Sequence, residues 1–394
     1  MQTHFMQQAR ALEAEAIAWR RKMHENPEVA FEEVETADFI EGKLREFGYI
    51  PHRVGRTGLV AVLEGSKAQG KTIGLRADID ALPIQEKTGL PFASQRGGVM
   101  HACGHDMHTA ILLGVAKMLS FHKSSIPGRI KFLFQPAEET LSGAAGFVQA
   151  GELDDLDGIA GLHILPTLET GTVGVRKGPL MAAVDTLTVT ITGRSCHGAY
   201  PHLGVDAVVI AAHLVTALQT VVSRNAPALD SVVLSFGAIN GGTAANIIAD
   251  AVTLQGTLRT LHVETRKMVI ERIRETVHGV AAALGGEATL ELSAGIPPLI
   301  SDDVWVDRFE KAALQCIPED RFVILPNPVM GGEDFSLMLE KVPGVYWRLG
   351  ARARGEALTA PHSPTFVADE GAIVYGMGIT ATLAVDYLLG EGSA

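Results

Sequence analysis

Five potential metal ligands fall within eight residues of this chain, in the run His101-Ala102-Cys103-Gly104-His105-Asp106-Met107-His108. Cys103 and His105 are one residue apart, so in an extended loop both point the same way. Thiolate and imidazole suit zinc, cobalt, nickel or manganese. Taken alone, the run reads equally as a His-rich turn capped by Asp106. A second feature is Gln135-Pro136-Ala137-Glu138-Glu139, directly after an apolar run. Two adjacent carboxylates can divide the work, one holding metal and the other moving protons. They read equally as a solvated acidic pair. His163 ends another apolar run, and His362 stands between two prolines in Pro361-His362-Ser363-Pro364. Each could be structural. Asp78 and Asp80 read as turn residues.

The combined placement is more specific than any single signal. Several loops each offer a Cys, a His or a carboxylate, and more than four ligands suit two cations about 3.5–4 Å apart sharing a water. Further along, Gly193 to His202, Gly241 to Asn246, and Arg259 supply other candidates. His197 and Asn246 could donate to a developing oxyanion, and Arg259 could grip a carboxylate with two parallel bonds. Read from composition alone, these are loop residues and a surface charge. Cys196 beside His197 is not a thiol dyad, because neighbours on a strand point to opposite faces. Neither a Gly-x-Ser-x-Gly elbow nor a phosphate-binding Gly-x-x-x-x-Gly-Lys loop occurs.

These residues need elements to hold them. The spacing predicts a helix over 7–24, strands over 59–63 and 72–77, and a helix over 110–119. A strand over 129–134, a short helix over 143–150 and a strand over 159–164 follow. Alternating strands and helices predict a sheet covered on both faces, with ligands gathered beyond the strands' carboxyl ends. Strict alternation at Leu187, Val189 and Ile191 then marks a half-exposed strand. The order becomes β-α-β-β-α-β, the ferredoxin-like unit, until Gly295-Ile296-Pro297-Pro298. After it, a helix over 304–316, a strand over 345–349 and a helix over 371–389 resume the first pattern. The expected architecture is an α/β/α sandwich domain, residues 1–183 and 298–394, with an α+β domain inserted at 184–297.

The chain has 394 residues, 47% hydrophobic and 20% charged, and carries a formal net charge of −12. Globular composition excludes a disordered chain, and the acidic balance argues against nucleic acid. No apolar stretch reaches the roughly 20 residues of a membrane helix. The N-terminus lacks the pattern of a secretory signal. Three cysteines are too few and too odd in number for a disulfide framework, so a cytoplasmic location is expected.

With these motifs in order, the chain resembles the hippurate hydrolase and N-acyl-amino-acid amidohydrolase family. That family belongs to the aminoacylase and carboxypeptidase metallopeptidases, which have a zinc-exopeptidase-like fold, and it includes the plant auxin-conjugate hydrolases. The resemblance spans nearly the whole chain, through Arg20 to Glu28, Leu75 to Pro83, His101 to His108, Gln135 to Glu139, Gly193 to His202, Gly331 to Phe335 and Pro361 to Pro364. It implies that Cys103, His105, Glu139, His163 and His362 hold two divalent ions (manganese, zinc, cobalt or nickel), with Glu138 as general base. It further implies that His197 and Asn246 touch the substrate, that Arg259 binds its carboxylate, and that the inserted domain is a lid through which a homodimer or homotetramer forms. Many carboxypeptidase-like relatives carry His-x-Asp where this chain has Arg76-Ala77-Asp78, which leaves the ligation to Cys103 and His105. The implied activity is hydrolysis of small N-acyl-L-amino acids. A dipeptidase or carboxypeptidase with the same site is the rival within the class. A metal-dependent sensor is the rival outside it, and Glu138 argues against that, because a binder needs no carboxylate beyond a full ligand set.

Overall fold

The computed structural model describes residues 2–67, 70–293 and 295–390, and for residues 2–4 the backbone only. The chain forms two compact units. One comprises Met1–Gly178, Ile300–Pro326 and Asp334–Ala394; the other comprises Pro179–Leu299 and Asn327–Glu333.

Among the described residues, the first unit is organised by an eight-stranded mixed sheet. Its spatial order is His52–Val54, Gly58–Glu64, Arg129–Gln135, Thr72–Asp78, Gly158–Glu169, Gly344–Arg352, Val173–Val175 and Phe322–Ile324. The strand Thr72–Asp78 is buried at every position, as a central parallel strand covered on both faces must be. It pairs in parallel with Arg129–Gln135 on one side and Gly158–Glu169 on the other, so their carboxyl ends finish together, with Asp78 opposite Gln135. Both faces are covered. Leu75, Ala160 and Leu162 point toward His108 and Ile111 of the helix His105–Ser120. The intervening Gly161 faces Phe335 of the short helix Phe335–Leu339 on the opposite side, as strand alternation requires.

The second unit has its own core, with Leu187, Val189 and Ile191 packed among Ile210, Leu214, Leu254 and Ile273. Its antiparallel sheet runs Val232–Gly241, Ala251–Thr260, Ala183–Thr192, Glu287–Leu292, backed by the helices Ala207–Thr220 and Val263–Ala283. That strand order is ferredoxin-like.

Several details differ from the sequence expectation. The helix Val34–Glu46 was not anticipated, although Ala37, Ile40 and Leu44, all buried, follow helical spacing. The third helix begins at His105 rather than Ala110, so His105, Asp106 and His108 lie in its first turn and not in an extended loop. Asp106 does not cap it; the cap position is Gly104, in a left-handed conformation. His163 does not end its strand, which continues to Glu169. Two helical stretches, Ala207–Asn225 and Ala372–Leu389, are long and apolar enough by composition to cross a membrane, contrary to the expectation of none. Ala372–Leu389 is largely buried here, packed against the helices Gln2–Glu25, His105–Ser120 and Asp303–Ala313.

Candidate metal centre

Four segments of the first unit converge near the ends of its parallel strands: Cys103 to His105, Glu138 and Glu139, His163, and His362. The turn at Gly104 admits no side chain. Its φ is 93°, and a Cβ there would overlap the Ile164 side chain. We therefore expect Gly104→Ala to destabilise the unit by about 1–3 kcal/mol through overpacking and backbone strain. Urea midpoints check this, and an unchanged midpoint would show that the turn tolerates a side chain.

From that turn, Cys103 Sγ lies 3.2 Å from His163 Nε2. His362 reaches Glu139 Oε2 at 3.3 Å through its own Nε2, and its backbone N–H donates to the Ala102 carbonyl at 2.8 Å, which ties the His362 loop to the residue before Cys103. His362 has a φ of 61°, an unusual backbone for a non-glycine residue and one that needs surrounding support. Three of the overlapping sets of ligand atoms contain only these residues, each mutually within 4.8 Å: Cys103, His105 and His163; Cys103, Glu139 and His362; and His105, Glu138 and Glu139. All five proposed ligands and Glu138 thus stand in one cluster.

Hydrogen bonds orient the rings. His105 Nδ1 donates to Asp80 Oδ1 at 3.1 Å, and His163 Nδ1 donates to the Ile164 carbonyl at 2.6 Å. In both rings the Nε2 atom is left toward the cluster, the usual arrangement of a metal-ligating histidine. Asp80 does more than shape a turn, because its Oδ2 accepts from the Glu139 N–H at 3.0 Å. Asp78 also has a partner set. It pairs with Arg76 at 2.8 Å and accepts from His108 Nδ1 at 2.6 Å, while His108 Nε2 accepts from the Ile164 N–H. Asp106 pairs with Arg20 at 2.6 Å and with His24 at 2.8 Å. The sequence assigns Asp80 no part in orienting His105, and it assigns no partners to Asp78, His108 and Asp106. Their positions within recognisable motifs were the available signal.

The electrostatics suit cations. Burial pushes the Cys103 thiol up to about 12, with the nearby carboxylates Glu139 and Asp78 adding to the effect. Burial disfavours a charged His105, yet Asp78 and Asp80 hold it well above the ordinary imidazole range. Burial, His108 and Arg348 hold His163 well below that range. His105 Nε2 and Glu139 Oε1 are buried with no hydrogen-bond partner, a costly condition for polar atoms. Soft thiolate, borderline imidazole and hard carboxylate, with two such atoms lacking partners, fit divalent transition-metal ions.

Glu33 is a further buried carboxylate that the sequence did not single out. Burial raises it to about 7, with the Asp80 charge acting in the same direction, against hydrogen bonds from Thr57 and Ala137. A carboxyl raised in the folded state favours folding fully below its unfolded value and loses that contribution as pH climbs through the folded value. Relative to wild type, Glu33→Gln should therefore gain stability from about pH 4.5 to 7 and keep the gain above, by no more than about 3 kcal/mol. Paired denaturation series across pH test this; a difference that does not vary with pH contradicts it.

The remaining candidates lie in the second unit. His197 belongs to a two-residue strand paired with Ile247–Ile248, and Gly198 N–H donates to the Asn246 carbonyl at 2.7 Å, so His197 and Asn246 are neighbours. Arg259 stands apart on the strand Ala251–Thr260, donating to the Met330 carbonyl at 2.9 Å.

A mixed α/β sheet with thiolate, imidazole and carboxylate groups collected at the ends of its parallel strands defines a class, that of metal-binding hydrolases. Residues 74–386 match Peptidase family M20/M25/M40. N-acetyl-L-cysteine deacetylase of Bacillus subtilis is 44% identical over 368 residues, covering 92% of this chain and 86% of that protein. N-acyl-L-amino acid amidohydrolase of Geobacillus stearothermophilus is 42% identical over 294 residues, covering 74% and 79%. A crystal structure from Bacillus subtilis, described as a dinuclear metal-binding peptidase of the M20 family, superposes with a TM-score of 0.85 at 36% identity, covering 96% and 99%. The chain belongs to the M20/M25/M40 peptidase family.

Proposed function

We propose that this protein hydrolyses the amide bond of N-acyl-L-amino acids, releasing a carboxylic acid and an amino acid. Cys103, His105, Glu139, His163 and His362 hold two divalent ions, and Glu138 is the general base. The observation that carries the reading is the cluster in which Glu138 stands beside His105 and Glu139. A further carboxylate among ligands has a use in proton transfer. The names of the relatives support the substrate class.

Bound at these residues, a pair of divalent ions supplies Lewis acidity that eases deprotonation of a water and polarises an acyl carbonyl. Everything else falls to the protein. Glu138, only 6% exposed, takes a proton from the attacking water and delivers it to the departing amine. Asp80 and the Ile164 carbonyl keep His105 and His163 in the tautomer that presents Nε2. For the second unit, we assign His197 and Asn246 as hydrogen-bond donors to the acyl oxygen and Arg259 as the grip on the substrate carboxylate. Homodimerisation or tetramerisation through this unit has support in Val232–Gly241, an edge strand exposing Val233 and Ile239. Light scattering tests it, and cell fractionation tests a cytoplasmic location.

The decisive experiment is a substrate panel on protein reconstituted in turn with manganese, zinc, cobalt and nickel. It compares benzoyl-, acetyl- and longer acyl-amino acids with unblocked dipeptides. Faster turnover of the blocked compounds is expected. Preference for unblocked dipeptides would move the protein to the peptidase reading, and no turnover with metal bound would make it a binder.

A further inference from the structure

Glu33 lies 104 residues from Ala137 in the chain, yet its Oε1 accepts the Ala137 N–H at 2.9 Å, and its Oε2 accepts the Thr57 hydroxyl at 2.9 Å. The side chain is fully buried. Ala137 is not a glycine, but its φ is 56°, a left-handed backbone that an L-residue adopts only at a cost. Such a conformation persists only where the surroundings enforce it. Here the turn is closed on its other side as well: the Ala137 carbonyl accepts from Ser142 N–H at 3.3 Å, Gly143 N–H at 3.2 Å and Thr140 Oγ1 at 3.2 Å. Gly143 is required for that closure, since a Cβ there would overlap the Pro136 carbonyl oxygen. The two residues after this reversal are Glu138 and Glu139.

We propose that Glu33 is a positioning residue, which holds the Ala137 amide so that the turn delivers Glu138 and Glu139 into the cluster. The loop is then braced at two amides by two buried carboxylates, Glu33 at Ala137 and Asp80 at Glu139. Glu33 itself contacts neither a proposed ligand nor Glu138 through any hydrogen bond given by the structure; it acts through the backbone. A buried acceptor suffices for this role, and its near-neutral titration means that a full negative charge is not needed. Glutamine at this position can still accept from Ala137 through its carbonyl oxygen while its amide donates to Thr57 Oγ1.

The inference rests on the proposed function for its meaning but is tested apart from it. Hydrogen exchange at the Ala137 amide, in cation-free protein, reads the brace directly. Manganese affinity, kcat and KM read its consequence. Glu33→Ala is expected to speed Ala137 exchange at least about tenfold and to lower manganese affinity or kcat by about 10–100-fold, with KM changed by less than about threefold. Glu33→Gln should restore exchange and affinity to near wild type. Thr57→Val, which removes the other partner of Glu33, should leave Ala137 protected. Should Glu33→Ala fail to fold, Glu33→Asp keeps the charge but withdraws it by one methylene, and the same acceleration at Ala137 is expected. The proposal is overturned if folded Glu33→Ala or Glu33→Asp leaves Ala137 exchange unchanged, or if Glu33→Gln is as defective as alanine. If no N-acyl amino acid is hydrolysed at all, the functional reading fails while exchange at Ala137 still decides the brace.

Discussion

Glu138→Ala is expected to lower kcat by about 10²–10⁴-fold while the protein retains its bound cations. The reasoning is geometric. Glu138 belongs to a ligand-distance group with His105 and Glu139, and in the proposed site the five other side chains supply the sulfur, nitrogen and oxygen donors. Removing Glu138 therefore takes away proton transfer and leaves ligation in place. The loss should fall on kcat, with KM little changed, because a general base acts in the transition state more than in substrate binding. Metal content by mass spectrometry and steady-state kinetics on one preparation give the answer. A variant that keeps near wild-type turnover would remove Glu138 from the mechanism, and one that loses its metal along with turnover would make it a ligand instead.

The second large effect is expected on withdrawal of the cations. Dialysis against a chelator should reduce hydrolysis to background, and one of manganese, zinc, cobalt or nickel should restore it. Stability must follow the same equilibrium. His105 Nε2 and Glu139 Oε1 are buried without hydrogen-bond partners, so a cation that satisfies them binds the folded state preferentially. At a free concentration 100 times its dissociation constant it adds about 2.7 kcal/mol to the unfolding free energy. His105→Ala should abolish that increment as well as the activity. Calorimetric scans across a cation titration check it: a midpoint insensitive to every cation would contradict preferential binding at these residues.

The two predictions depend on residues whose chemistry was legible before any fold was known. Cys103, His105, Glu138, Glu139, His163 and His362 belong to residue types that bind metals or move protons, and all but His362, which stands between two prolines, lie close to an apolar run that reads as an element. The braces were not legible in the same way. Asp80 could be read only as a turn residue, yet it links His105 to the Glu139 amide. Glu33 stands among other acidic residues, in Glu32-Glu33-Val34-Glu35, with nothing local to single it out, yet its carboxylate is buried against Thr57 and Ala137. Asp106 was read as a helix cap, but its partners Arg20 and His24 come from another helix more than 80 residues away. Short elements such as Val173–Val175 and Phe322–Ile324 also escaped notice, because three residues are too few to show a period.

The sequence by itself determined which side chains are available for chemistry, the alternation of strands and helices in the first unit, and the β-α-β-β-α-β order of the second. These follow from residue type and from periodicity, which depend on neighbours along the chain. Only the tertiary structure decided which nitrogen each histidine presents, which carboxylates face ligands and which serve as backbone acceptors, and why Gly104 and Gly143 admit no side chain. Those outcomes depend on hydrogen bonds and close contacts between segments that are distant in sequence, and local patterns carry no record of which distant partner a buried polar atom will meet.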